Sequence, residues 1–162
     1  MPRIILKTKI KAPVERVFDL ARSIDLHLIS FKNTREKVVS GRKHGLINQN
    51  EYVTWKGKHL GVYQRLTSSI TYMQRPMVFE DEMIKGPFHG LHHTHYFEKD
   101  EKNGNTIMTD VFDYKMPLCF VGCLIDQVYV KKYLKKLLTR RNTYIKDYAE
   151  NDEKWIQVLN IY

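Results

Sequence analysis

The chain has little with which to tie itself together covalently. It carries two cysteines in 162 residues, Cys119 and Cys123. In a helix these lie one turn apart on one side, a spacing that suits two packed thiols better than a structural disulfide. A thiolate zinc site would need a second pair. No apolar run approaches the roughly 20 residues of a membrane span. The opening Met1-Pro2-Arg3-Ile4 has no signal-peptide core, so the expected location is the cytosol. A GxSxG or other nucleophile motif is missing, as are a phosphate-binding loop, a helical HExxH and a facial-triad spacing. These absences remove the motif-borne routes to serine hydrolysis and nucleotide handling, and they lead us to expect no cofactor and no metal. Repeats, low-complexity stretches and linkers are absent too, which leaves one domain.

What is present is globular. Hydrophobic residues make up 43% of the chain and charged residues 28%. A domain of this length buries roughly 70% of the surface its unfolded chain exposes, enough to fold without staples. The net charge of +9 invites an acidic partner. No nucleic-acid module accompanies it, so nucleic acid is not expected.

Along the chain, Leu6, Thr8 and Ile10 alternate with Lys7, Lys9 and Lys11, the pattern of a half-solvated strand. Pro13 then suits a helix start, and Val14, Val17, Phe18 and Ala21 recur at helical spacing. A second short helix is predicted over 24–30, capped by Ser23. From 35 to 116 the texture is a meander of about six strands with tight turns, and Asn103-Gly104 marks a hairpin joining 91–99 to 106–116. Such short connections force antiparallel pairing. After Pro117 a long amphipathic helix reaches about Glu150. Its stripe is Val130, Tyr133, Leu134, Leu137, Leu138, Ile145 and Tyr148, with Lys131, Lys132, Lys135, Lys136 and Lys146 opposite. This order predicts an α+β fold: a curved antiparallel sheet of about seven strands wrapped on a long C-terminal helix, with two short helices after the first strand. Between two layers that do not pack flat lies either core or cavity.

Period-two reading places Phe79, Asp81 and Met83 on one strand face, His93, His95 and Phe97 on another, and Met108, Asp110, Phe112 and Tyr114 on a third. The opposite faces carry Glu80, Glu82, Thr94, Glu98, Thr109 and Asp113 and are expected to meet solvent. If the mixed faces point inward, Asp81, His93, His95 and Asp110 meet beneath the helix, where buried charges require partners. A satisfied polar network and a site that orients a ligand's polar head both fit that cluster.

The same residues carry a resemblance. Thr54-Trp55, His59-x-Gly61, Leu66-Thr67-x-x-Ile70-Thr71, Pro76-x-x-Phe79-x-Asp81-Glu82-Met83-x-x-Gly86-Pro87-Phe88, His93-x-His95-x-Phe97, Thr106-x-Met108-x-Asp110, Tyr114-x-x-Pro117 and Tyr133-x-x-x-Leu137-Leu138-x-Arg140-Arg141-Asn142 stand in the order found in the ligand-binding branch of the START/Bet v 1-like (SRPBCC) superfamily. The chain resembles that branch over about residues 3–150. The resemblance implies a helix-grip fold with a hydrophobic cavity between sheet and helix. Relatives in the wider superfamily bind lipids, sterols, plant hormones or polyketides, and some catalyse cyclisation or dehydration. One departure is Cys119, which stands where the branch usually has a glycine, at what would be the pocket mouth.

Three functions follow as expectations. The first is binding of a hydrophobic or amphipathic small molecule, with Trp55, His59, Phe79, Asp81, Met83, Phe88, His93, His95, Phe97, Asp110, Phe112 and Tyr114 as the ligand-binding set. The second is a cyclase or dehydratase in which a His–Asp pair, Asp110–His95 or Asp81–His93, moves a proton. The third is a lipid carrier that transiently touches an anionic membrane through the stripe Phe120, Val121, Leu124, Ile125 and Val128 beside the lysines. We divide the chain into a domain over 1–150 and an apolar tail over 151–162, packed on the domain or on a partner subunit. A monomer and a homodimer both fit that tail.

Overall fold

A computed structural model describes residues 2–116 and 124–159. The first strand, β1 (Arg3–Ile10), buries Ile4 and Ile10 and leaves Ile5 exposed, as its alternation requires. Two short helices follow, α1 (Val14–Ala21) and α2 (Ile24–Ser30). Ser23 caps α2, its hydroxyl accepting the Leu26 N–H at 3.2 Å. A single 3-10 turn (Lys32–Thr34) leads into the meander: β2 (Lys37–Gly41), β3 (Tyr52–His59), β4 (Val62–Gln74), β5 (Val78–Lys85), β6 (Gly90–Lys99) and β7 (Thr106–Lys115). Gly104 takes φ +69° in the β6–β7 turn, a left-handed conformation that a side chain would strain.

All pairings among the described strands are antiparallel, in the order β1-β7-β6-β5-β4-β3-β2. Register shifts at Thr67/Ser68 and Ile70/Tyr72 bend the long β4 against β5. The bend wraps the sheet toward α3 (Leu124–Ala149), which lies against β1, α1 and α2. Val130, Leu138 and Ile145 of the sequence stripe are buried, while Lys131, Lys132, Lys135 and Lys136 are exposed.

The core forms two clusters. One gathers Ile10, Phe18, Leu20, Phe79, Phe97, Met108 and Ile145, and the other Ile4, Leu91, Phe112, Tyr114, Val130 and Leu138. After α3 the chain turns into α4 (Asp152–Leu159), where Val158 joins the first cluster. Arg16 holds that corner. Its guanidinium donates to the Ala149 carbonyl at 2.9 Å and lies 4.3 Å over the Trp155 ring. The expected solvent face of the sheet has one exception. Thr94 is 5% exposed because its short side chain sits on an interior strand between Glu80 and Val111, its register neighbours.

Ile145 is 1% exposed at the junction of α3 and the main cluster. Ile145→Ala should therefore cost about 2–5 kcal/mol through lost burial and a residual cavity. Urea unfolding followed by circular dichroism should show a lower midpoint at an unchanged slope.

Candidate functional site

The strand register builds the site. His95 stands between Phe79 and Asp110, and His93 between Asp81 and Phe112. Asp110 has no exposed side-chain surface. Its Oδ1 accepts from His95 Nδ1 at 2.8 Å and from His93 Nε2 at 3.0 Å, and its Oδ2 accepts from Asn142 Nδ2 at 2.6 Å. Arg141 Nη1 lies 3.6 Å from the same Oδ1, while Arg141 Nη2 donates to the Ala21 carbonyl at 2.7 Å. Asp81 Oδ2 is 3.1 Å from His95 Nε2 and 3.8 Å from His93 Nδ1. The four residues thus meet, but not as two separate His–Asp pairs: Asp110 is shared by both rings. Phe79 stacks on His95 at 4.2 Å, and Phe112 meets His93 edge-on at 5.0 Å, which fixes both ring planes.

Burial alone would push both carboxyls up. The imidazole hydrogen bonds and nearby positive charge outweigh it, holding Asp81 below and Asp110 well below the ordinary range. Burial and the neighbouring His95 drive His93 down to about 4 against the pull of Asp110 and Asp81, so at neutral pH its ring is neutral. Burial also lowers Arg141, against the pull of Asp110 and Asp81.

These groups border a cavity of ≈ 220 Å³ between the sheet and α3. Trp55, His59, Phe79, Asp81, Phe88, His93, His95 and Phe112 stand on its wall. Four residues of the expected set do not line it, although all four share the inner faces with those that do. Phe97 is covered by Phe18 of α1, ring centroids 5.2 Å apart. Tyr114, 1% exposed, lies behind Phe88, and Asp110 lies behind the two histidines. Met83 packs in the second core cluster.

A second polar cluster borders the same cavity. Glu36 accepts from His27 Nε2 at 2.8 Å and from His59 Nε2 at 3.0 Å, and His59 Nδ1 is 2.9 Å from the Tyr133 hydroxyl. The His27 ring stacks on Trp55 at 4.0 Å. Burial would raise the Glu36 carboxyl, but the two imidazoles hold it down to about 2. Gly57 makes room: a Cβ there would sit 2.6 Å from Glu36 Cγ and 3.0 Å from His59 Nε2. Of this cluster only His59 was expected at a site. Cys119 and most of the stripe from Phe120 to Val128 lie outside the described residues or among side chains that are not described; Val128 itself is exposed. Among the described residues, no helix is long and apolar enough to cross a membrane.

A seven-stranded antiparallel sheet gripping a long C-terminal helix, with two short helices after β1, is the helix-grip fold of START and Bet v 1-like proteins. An aromatase/cyclase (Zhui) from Streptomyces sp. R1128 superposes with a TM-score of 0.72 at 12% identity, covering 92% of this chain and 93% of its own. A START superfamily protein from Mycobacterium smegmatis gives 0.68 at 9% identity, over 91% and 97% of the two chains. Ginseng major latex-like protein 151 from Panax ginseng gives 0.64 at 14% identity, over 93% and 98%. At these identities the likeness is one of fold. No protein-family model and no curated protein matches the sequence.

A carboxyl held below its ordinary value adds stability above that value and loses it as pH falls through the folded value. The stability gap between wild type and Glu36→Gln should be on the order of 3 kcal/mol above pH 4.5 and close as pH falls toward 2, read from urea midpoints. Gly57→Ala should displace Glu36 and His59 and cost about 1–3 kcal/mol. Thermal unfolding and the His59 ring resonances check it.

Proposed function

We propose that this chain binds an amphipathic small molecule, of lipid, isoprenoid or polyketide-like chemistry, in the cavity between sheet and helix. The observation that carries this reading is the composition of the cavity wall. Trp55, Ile70, Leu91, Leu134, Leu137 and Leu138 supply apolar surface, and the carboxylates and histidines of the wall are gathered in two clusters. On α3 these are marked by Tyr133 and Arg141, eight residues or about 12 Å apart along the helix. A rigid or moderately extended ligand with a polar group near one or both ends matches that spacing. Sharing a fold with START and latex-like proteins agrees with small-molecule binding.

The test is native mass spectrometry of protein purified from its own host, followed by organic extraction. A stoichiometric amphipathic molecule is the expected result. Leu137→Trp, which fills the cavity from α3, should displace that molecule while leaving the circular dichroism spectrum intact. A protein that carries nothing, and that shows no thermal shift with fatty acids, sterols or isoprenoid alcohols, would sink the reading.

A second reading has an observation of its own. A histidine held by a buried carboxylate is a general base, and His95 on Asp110 opens on the cavity. One fold neighbour is an aromatase/cyclase. A cyclase- or dehydratase-type reaction would draw a proton from a carbonyl-activated carbon and lose water. In that case His95→Gln should retain a precursor one water heavier than the molecule extracted from wild type. Identical masses from the two proteins would argue for binding without turnover.

A further inference from the structure

We propose that Asp81, His93 and His95 form a site for one divalent transition-metal ion, with Asp110 as the outer carboxylate that aims both imidazoles. One ligand atom from each of the three side chains lies within 4.8 Å of the other two. Asp110, as a carboxylate, only accepts, so both rings donate to it: His93 through Nε2 and His95 through Nδ1. A neutral imidazole has one N–H. With one nitrogen of each ring turned to Asp110, the other nitrogen of each, His93 Nδ1 and His95 Nε2, faces the Asp81 carboxylate oxygen, at 3.8 and 3.1 Å. The three atoms converge on one point, which a proton on His95 Nε2 or a metal ion can occupy. A metal ion at their centre would take the place of that proton and draw all three atoms onto itself.

The geometry suits such an ion. With metal–ligand bonds of about 2.0–2.1 Å, adjacent ligand atoms on a tetrahedral centre lie about 3.3 Å apart. The two contacts to Asp81 bracket that spacing. A metal-bound imidazole usually gives its other N–H to a carboxylate, which fixes the tautomer and strengthens the ligand. Asp110 does this for two rings at once, and Asn142 holds its second oxygen. Two carboxylates face the single guanidinium of Arg141, so the site carries no excess of guanidinium charge to repel an ion. The nitrogen-rich donor set favours zinc, cobalt, nickel or ferrous iron over magnesium or calcium. All three ligand residues line the cavity, so a fourth position would open onto it, for water or for an oxygen of a bound molecule. The proposal does not depend on what fills the apolar part of the cavity.

The experiment is a Co²⁺ and Zn²⁺ titration of the full-length protein after chelator treatment and dialysis, by calorimetry and visible absorption. The expected result is one equivalent bound at micromolar affinity or tighter, with the intense visible bands of low-coordinate Co²⁺. Asp81→Asn and His95→Gln should abolish that binding. Asp110→Asn should weaken it about 10–100-fold, as loss of an outer-sphere partner does. His92→Gln should leave it unchanged, because His92 points away from the cluster and pairs with Glu80. Should His95→Gln fail to fold, Asp81→Asn carries the test, since Asp81 is half-buried on the cavity wall. No stoichiometric binding by wild type would overturn the proposal and leave a proton bridging His95 and Asp81. Binding that survives Asp81→Asn, or that is lost in His92→Gln, would overturn it too.

Discussion

The structure depends on how one buried carboxylate is satisfied. Asp110 sits on β7 with its side chain wholly buried, and gives up its water to donors from two other elements: His93 and His95 of β6, and Asn142 of α3. A carboxylate stripped of solvent without such partners costs several kcal/mol, and breaking one partner leaves the charge stranded. The helix is therefore fixed in rotation and height on the sheet at this point, more tightly than apolar contact would fix it. The guanidinium of Arg141, one residue before Asn142, reaches α1 through the Ala21 carbonyl and extends the tie to a third element. Where the bent sheet diverges from the tethered helix, the cavity opens.

The aromatic residues translate that tie into orientation. A histidine beside a carboxylate can still turn about its ring axis, but Phe79 stacked on His95 and Phe112 against the edge of His93 remove that freedom. The second cluster uses the same device, with Trp55 stacked on His27. In both places a carboxylate organises two imidazoles and an aromatic face sets their planes. The difference lies in depth. Asp110 is sealed behind its histidines, whereas Glu36 lines the cavity itself and fits only because Gly57 has no side chain.

Much of this was legible in the sequence wherever one local period carried it. Alternation placed Phe79, Asp81, His93, His95, Asp110 and Phe112 on inward faces, and a two-residue pleat leaves no other outcome once one face is buried. The stripe on α3 was readable for the same reason at period 3.6. Face parity does not say what covers each stretch of a face. Phe97 points inward like His95 but meets α1, and Tyr114 points inward but meets Phe88. The Glu36 cluster was illegible because its members come from α2, the segment before β2, the end of β3 and the middle of α3. No spacing in the sequence links four such segments. Asn142 and Arg141 appeared in the sequence only as part of a family-like motif. Their role as partners of Asp110 needed the crossing of helix over sheet.

The charge distribution follows from the same architecture and runs opposite to the composition. The chain carries +9 overall, with lysines crowded on the solvent side of α3. Inside, Asp81 and Asp110 face one guanidinium, and Glu36 faces two imidazoles. Counted against guanidinium groups alone, each polar cluster has one carboxylate in excess. In a low-dielectric interior such an excess is not carried passively; it is met by protons, by a metal ion or by donors on a bound molecule. A ligand offering only a free carboxylate would add to the excess at either cluster. One offering hydroxyl or amine donors would relieve it, and with a metal ion at Asp81, His93 and His95 the preference at that cluster would turn toward oxygen donors. In the proposed binding, the polar end of the ligand would be selected by how the excess at each cluster is met.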